Sequence, residues 1–216
     1  MAPLQTSKQD VQTSKRDPVL KIITITGYKG GVGKSVTSIH LATYFSERGK
    51  TILVDGDPNR TAMSWSERGS LPFTVADERQ SVRLVSGSDY VVIDTPARPN
   101  SDDLAELAKG CDLLILPTTP DVISLQPMLE TTKVLGKCLY RALLTIVPPH
   151  PSKEGEQMRE DLQAGGVPVF TTMIRRSAGF AKAALEGIPL RDLNDSRSRL
   201  AWADYQKLGK EIEGIL

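Results

Sequence analysis

Short apolar segments alternate with longer amphipathic segments from residue 20 to the end of the chain. The apolar runs are nearly continuous, which is typical of parallel strands that helices cover on both faces. The pattern predicts strands over residues 20–26, 51–55, 90–94, 112–116, 142–147 and 168–170. It predicts helices over residues 34–48, 61–68, 101–109, 122–135, 153–164, 178–186 and 197–216. Several of these helices are followed by a glycine, the residue most common after a last helical turn.

No Pro-, Gly- or Ser-rich linker interrupts this alternation, so residues 20–216 are predicted to form one α/β domain. Its sheet is expected to be mostly parallel and covered by helices on both faces. Residues 1–19 are polar and contain no apolar core of a secretory signal, which favours a flexible arm or a tag remnant. The segment 70–88 leaves two interpretations open, because 73–75 fits an edge strand and 78–85 fits either a helix or a strand.

Composition excludes several classes of protein. The chain has 27 Lys and Arg against 26 Asp and Glu, a net charge of +1, so binding to nucleic acid needs a local basic patch. No apolar run approaches the roughly 20 residues of a membrane span, and no stable membrane insertion is expected. Cys111 and Cys138 stand far apart in the sequence without a C-x-x-C partner. This argues against a disulfide scaffold, a zinc site or a cluster within one chain, and favours a cytoplasmic protein.

A glycine-rich segment, GYKGGVGKS at residues 27–35, follows the first predicted strand and opens a helix. Glycines allow a tight loop whose amides point at a phosphate, and the helix N-terminus adds its positive dipole. Lys34 can neutralise β/γ-phosphate charge, and the Ser35 hydroxyl can bind Mg²⁺. Tyr28 replaces the first glycine of the usual P-loop pattern. The predicted nucleotide-binding residues here are Gly30, Gly31, Val32, Gly33, Lys34, Ser35 and Val36.

Carboxylates stand at the ends of two further strands, where an open parallel sheet has its ligand crevice. Asp55 and Asp57 follow the second strand, and Asp94 ends the strand 90–94. Next to a P-loop, one such carboxylate can hold a Mg²⁺-bound water and another can orient the attacking water. The alternative is that these residues only cap the next helix or begin a turn.

These residues resemble the ParA/MinD family of deviant Walker-motif ATPases. The resemblance rests on KGGVGKS at 29–35, DGDP at 55–58 and VIDTP at 92–96. It also includes residues 174–189, which begin with IRRS. In that family the extra lysine, here Lys29, reaches across a dimer interface to the partner's phosphates. The resemblance therefore implies a homodimer that forms on ATP binding and encloses ATP and Mg²⁺ between its subunits.

The resemblance also implies roles for individual residues. Lys29, Lys34 and Asp57 would be catalytic, with Asp57 positioning the hydrolytic water. Ser35, Asp55 and Asp94 would serve the metal, with Asp94 as the Walker B acid and Asp55 supporting Mg²⁺ or its waters. Pro148 or Pro149 would lie near the adenine. The sequence departs from the family where Ser35-Val36 replaces Thr-Thr and where Asn59 replaces Gln.

The chain is similar in length to the small ParA proteins, both those of plasmid partition and the carboxysome-positioning McdA type. Their behaviour implies a slow Mg²⁺-dependent ATPase that binds non-specific DNA on the nucleoid and responds to a ParB-like or McdB-like adaptor. Arg175, Arg176 and Lys182 form an acid-free basic patch for this role. The alternative for these cations is an ordinary solvated face.

Three other functions stay open. A MinD-like membrane ATPase would use the last helix, but acidic residues balance its lysines, which favours a helix packed on the domain. A P-loop kinase of small molecules would transfer phosphate to a metabolite. An iron–sulfur carrier would need Cys111 or Cys138 at a dimer axis.

Overall fold

The computed structural model describes residues 20–216, and the prediction of an arm over residues 1–19 lies outside them. In the described part, six strands alternate with eight α-helices. The strands are β1 (Lys21–Gly27), β2 (Thr51–Asp55), β3 (Thr74–Asp77), β4 (Tyr90–Ala97), β5 (Leu113–Thr118) and β6 (Tyr140–Leu144). The helices are α1 (Lys34–Ser46), α2 (Thr61–Arg68), α3 (Glu78–Leu84), α4 (Ser101–Lys109), α5 (Val122–Thr132), α6 (Glu154–Ala164), α7 (Gly179–Glu186) and α8 (Ser196–Glu213), with a 3₁₀ turn at Leu190–Asp192.

All six strands are parallel, in the order β3-β2-β4-β1-β5-β6. Alternate side chains of the central strands therefore enter two different cores. Ile23 and Ile25 of β1 pack with α1, α2, α7 and α8 on one face. Leu114 and Leu116 of β5 pack with α4, α5 and α6 on the other. This arrangement confirms the predicted α/β domain and brings the carboxyl ends of β1, β2 and β4 to one edge.

The structure settles the segment that the sequence left open. Residues 74–77 form the edge strand β3, and residues 78–84 form the short helix α3, whose first turn is capped by the Asp77 carboxylate. The predicted strand 168–170 is reduced to one bridge between Val169 and Ala142. Strand β6 ends at Leu144, because Ile146 takes a left-handed φ of 53° that an extended strand does not accommodate.

The last helix packs on the domain as predicted. Trp202, Tyr205, Leu208 and Ile212 are buried in the core with α1, and Leu200 is exposed. Among the described residues, no helix has the length and apolar character needed to cross a membrane.

Candidate nucleotide-binding site

The loop between β1 and α1 has the backbone of an anion cradle. Gly31 and Gly33 take φ values of 78° and 85°, a region that residues with a Cβ rarely occupy. Gly33 is the N-cap of α1, and no side chain caps the first turn there. The free amides at this helix start therefore face the loop, where a phosphate would satisfy them.

Lys34 places a buried cation at the base of this loop. Its side chain is largely enclosed, and Nζ lies 3.5 Å from the Lys29 carbonyl oxygen. Burial lowers the pKa of Lys34, while the charges of Asp94 and Asp57 act in the opposite direction. The lysine and both carboxylates are thus close enough to share one electrostatic environment.

Asp55 and Asp94 lie side by side, because β2 and β4 pair in register at these two residues. Asp94 is fully buried, and its Oδ1 accepts a hydrogen bond of 3.1 Å from the Ser38 hydroxyl. Its Oδ2 is buried without a hydrogen-bond partner in the described part of the chain. Burial raises the pKa of Asp94 to about 7, the Ser35 hydroxyl acts in the opposite direction, and the neighbouring Asp55 adds to the rise.

An unpartnered carboxylate oxygen beside a serine hydroxyl fits a magnesium site. Mg²⁺ keeps several waters and takes one or two carboxylates together with phosphate oxygens. Ser35 lines the cavity beside the loop, and Asp94 supplies the free oxygen. Ser35 and Asp94, two of the three residues predicted for the metal, therefore suit it. Asp55 differs from them, because both of its oxygens accept hydrogen bonds from backbone amides.

Asp55 and Asp57 are held by backbone and side-chain amides. Asp55 accepts hydrogen bonds from the amides of Asp57 (3.2 Å) and Met63 (2.9 Å), so both of its oxygens organise the β2–α2 loop. Asp57 Oδ1 accepts from the backbone and side-chain nitrogens of Asn59, both at 2.9 Å. Asn59, whose effect the sequence did not reveal, therefore orients Asp57.

A cavity of about 490 Å³ opens beside the loop. It is lined by Asp57 and by most of the predicted nucleotide-binding residues, namely Gly30, Gly31, Gly33, Lys34, Ser35 and Val36. Val32 is buried beneath the loop, where its carbonyl oxygen accepts a 2.8 Å hydrogen bond from Thr145.

The structure does not bring Pro148 and Pro149 to this cavity. Thr145 and Ile146 line it instead, because the left-handed turn at Ile146 redirects the chain before the prolines. Sequence reasoning missed these two residues. The available signal was Thr145 itself, a polar residue directly after an apolar strand, the same pattern that identified Asp94.

The opposite wall of the cavity comes from residues 174–177, with Phe180 and Tyr205 behind them. Here Arg175 makes two hydrogen bonds to the carboxylate of Asp204 in α8, at 2.6 and 2.7 Å. Arg175, one of the three cations predicted to contact DNA, is therefore paired with a carboxylate in the cavity wall. Arg176 and Lys182 are exposed, and their contact with DNA stays a prediction.

Lys29 points away from the cavity, toward the start of α5. Its Nζ donates a 2.6 Å hydrogen bond to the Ser124 hydroxyl and lies 3.8 Å from Asp121 Oδ1. Asp121 is also the N-cap of α5, accepting from the Ser124 amide at 2.8 Å. Burial acts to raise the pKa of Asp121. Hydrogen bonds from Thr119 and Ser124, together with the charge of Lys29, outweigh burial and lower it.

Comparison with known proteins agrees with this geometry. The family described as "CobQ/CobB/MinD/ParA nucleotide binding domain" matches residues 23–190. "Maintenance of carboxysome distribution protein A" of Gloeobacter kilaueensis is 34% identical over 203 residues, which cover 89% of this chain and 94% of the relative. The protein of the same name from Halothiobacillus neapolitanus is 27% identical over 88% of this chain and 95% of its own.

Solved structures show the same fold at low identity. An ATP complex of Cyanothece McdA superposes with a TM-score of 0.66 at 17% identity, covering 91% of this chain and 96% of that one. The septum site-determining protein MinD of Pyrococcus horikoshii, complexed with Mg-ADP, gives a TM-score of 0.67 at 19% identity over 91% and 98%. The predicted P-loop ATPase fold is thereby confirmed.

Proposed function

Because the chain belongs to the CobQ/CobB/MinD/ParA nucleotide-binding family, we propose that it is a Mg²⁺-dependent ATPase of the small ParA type. In this proposal it binds ATP, forms a homodimer around two nucleotides and binds non-specific DNA. Hydrolysis is slow until an adaptor on the cargo stimulates it. The cargo is a plasmid or a protein compartment, and the relatives named for carboxysome distribution favour the compartment.

The orientation of Lys29 is the observation that carries the proposal. A lysine that served only its own phosphates would enter its own cavity, whereas this one lies outside, beside α5. Val122 and Ile123, at the start of that helix, are 74% and 76% exposed. A cation next to an uncovered apolar pair suits an interface where Lys29 reaches the partner's nucleotide.

Within each subunit, the residues around the cavity have distinct roles. The loop amides and Lys34 hold the phosphates and offset their charge. Ser35 and Asp94 would hold Mg²⁺, which would supply positive charge next to the phosphate oxygens. Asp57, fixed by Asn59, accepts a hydrogen bond from the attacking water and orients it toward the γ-phosphate.

DNA binding would come from two exposed cations, Arg176 in the cavity wall and Lys182 beyond it. Arg176 follows a residue whose side chain is fixed on α8, and Lys182 lies on the first turns of α7. Dimer formation doubles the number of cations that face the DNA, which makes affinity depend on nucleotide and steeply on salt. The protein would then be found in the cytoplasm on the nucleoid.

The test is retention of a non-specific duplex in a gel-shift assay. The protein is mixed with DNA at two salt concentrations, without nucleotide, with Mg-ADP and with Mg-ATP. Retention only with Mg-ATP, weaker at the higher salt, supports the proposal. The variant Arg176→Glu should lose retention, while Lys137→Glu, the same charge change near the amino end of β6, should keep it.

Retention without nucleotide, or equal loss in both variants, would contradict the assigned surface. No retention in any condition would remove DNA from the proposal. Nucleotide-dependent pelleting with liposomes would then favour a membrane-associated ATPase, and phosphate transfer to an added metabolite would favour a kinase.

A further inference from the structure

A second cavity, of about 570 Å³, lies on the face of the sheet opposite α1. On this face α3 packs on β2 and β3, and α4 packs on β5. Because β4 and β1 stand between β2 and β5 in the sheet, a gap remains over β4 between the two helices. A cavity of this size is typical of small-molecule sites.

Three side chains form the floor of this second cavity, one from each of three neighbouring strands. Val54 of β2 pairs with Ile93 of β4, and Ile93 pairs in turn with Thr24 of β1. Side chains that stand opposite one another in a sheet point to the same face, so all three point into the cavity that they line. Val54 and Ile93 make the floor apolar, and Leu107 of α4 adds an apolar wall.

The Thr24 hydroxyl is the polar group of this floor. Thr24 is 1% exposed, and its Oγ1 has no hydrogen-bond partner in the part of the chain that the structure describes. A buried hydroxyl without a partner is unfavourable, and a ligand group that hydrogen-bonds to it removes that cost. The apolar neighbours of Thr24 would not stabilise a charge there. The floor therefore favours a ligand whose inner end carries one neutral polar group.

Charged side chains surround the opening of the second cavity. Glu78 begins α3, whereas Asp103 and Glu106 lie on α4, so carboxylates stand on both sides of the gap. Arg98 is the one basic residue among the described residues that line the cavity. Glu106 is paired with Lys109 at 3.0 Å, and the charges of Glu78 and Asp103 still outnumber that of Arg98. The opening is therefore net negative and favours a cation.

One short segment separates the second cavity from the nucleotide cavity. Ala97, which pairs with Gly27 of β1, lines the nucleotide cavity. Its two neighbours in the sequence, Pro96 and Arg98, line the second cavity. A ligand in the second cavity therefore occupies a different space from a nucleotide beside the P-loop.

We propose that the second cavity binds a small organic amine that has an apolar body and a neutral polar group at the end away from the ammonium. The apolar body lies on Val54 and Ile93, and the neutral group hydrogen-bonds to the Thr24 hydroxyl. The ammonium stays in solvent at the opening, beside the exposed carboxylates of Glu78 and Asp103. Tyramine has these three parts, since a phenol hydroxyl and an ammonium stand at opposite ends of an aromatic body.

The experiment is an NMR titration of the full ¹⁵N-labelled chain with tyramine. We expect saturable shifts of the amide signals of Thr24, Ile93 and Arg98, with a dissociation constant of about 1 mM for a ligand of about ten non-hydrogen atoms. The signals of the P-loop, residues 30–36, should shift less. The titration therefore gives both the affinity and the place of binding.

Matched ligands test the two polar ends of the amine on the unaltered chain. 4-Ethylphenol, which has no ammonium, should bind more weakly than tyramine, and 3-(4-hydroxyphenyl)propionate, with a carboxylate in its place, more weakly still. Phenethylamine tests the inner end because it lacks the phenol hydroxyl. Thr24→Val keeps the shape of the side chain, so it should weaken tyramine several-fold and change phenethylamine by less than about two-fold.

Charge variants test the opening. Glu78→Gln and Asp103→Asn should each weaken tyramine by up to about five-fold, the range of an exposed charge pair, and the loss should shrink at higher salt. Glu160→Gln is the matched control, since it removes one exposed carboxylate from α6, a helix outside the second cavity. Its affinity for tyramine should equal that of the unaltered chain.

Three results would overturn the proposal. These are the absence of saturable shifts up to tens of millimolar tyramine, shifts centred on residues 30–36, and binding of the propionate as tight as that of tyramine. The ligand series decides the matter even if Thr24→Val folds poorly, because it needs no substitution.

Discussion

Replacing Asp121 by asparagine should strengthen ATP-dependent dimerisation if Lys29 must break its contact with Asp121 to reach the partner subunit. Asparagine is as good an N-cap as aspartate, so α5 keeps its first-turn hydrogen bond while Lys29 loses an opposite charge. The Lys29–Asp121 pair is 3.8 Å long, and its side chains are 39% and 45% exposed. Exposed pairs contribute about 0.2–1 kcal/mol. Two protomers each release one lysine, so about 0.5 kcal/mol per pair amounts to about 1 kcal/mol, or about five-fold in the dimer dissociation constant.

Sedimentation velocity with Mg²⁺ and a non-hydrolysable ATP analogue measures this constant. The gain should shrink as salt rises, since salt screens exposed charges. Lys29→Ala should prevent dimer formation, and adding Asp121→Asn to it should restore none, because the gain from Asp121→Asn requires the lysine. A dissociation constant for Asp121→Asn that is unchanged or weaker at low salt would refute the inference that this contact competes with the dimer.

Three other outcomes are expected. Asp57→Ala should bind ATP and dimerise as before but lose turnover in a phosphate-release assay, and normal turnover would remove Asp57 from its role. Burial lowers the pKa of His40 to about 4, so the folded state favours its neutral form. The contribution of His40 to the free energy of unfolding has its full value above about pH 6.5 and falls as the pH approaches 4, with about 2 kcal/mol lost at pH 5. Urea unfolding of the unaltered chain and of His40→Asn across this pH range checks the loss. Equal dependence of the two free energies on pH would contradict it. Gly209→Ala should lower stability by about 1–3 kcal/mol, because its Cβ would strike the Tyr44 ring, whereas Gly214→Ala, with its nearest such contact at 3.6 Å, should be neutral on thermal unfolding.

The features that local sequence specifies were the predictable ones. The P-loop backbone needs glycines at Gly31 and Gly33, and Asp94 was identified by the apolar run before it, although β4 continues beyond it to Ala97. Each signal lies within a few adjacent residues. The same is true of the strands, whose continuous apolar character reflects helices on both faces.

Contacts between distant segments were not predictable in this way. The pairing of Arg175 with Asp204 joins residues 29 positions apart, and each residue alone looks like an ordinary surface charge. The cavity wall at Ile146 depends on a single left-handed backbone angle. Such features are set by packing, which one sequence does not display.

Under the proposed function, the unpartnered oxygen of Asp94 would link the stability of the chain to its ligands. A buried acceptor without a partner costs about 1–3 kcal/mol, and Mg²⁺ at the proposed site would remove that cost. Cellular proteases act on opened molecules, and a change of this size alters abundance several-fold. ATP and Mg²⁺ would then slow the degradation of this protein, and a variant that satisfies this oxygen without ligand would lose that dependence.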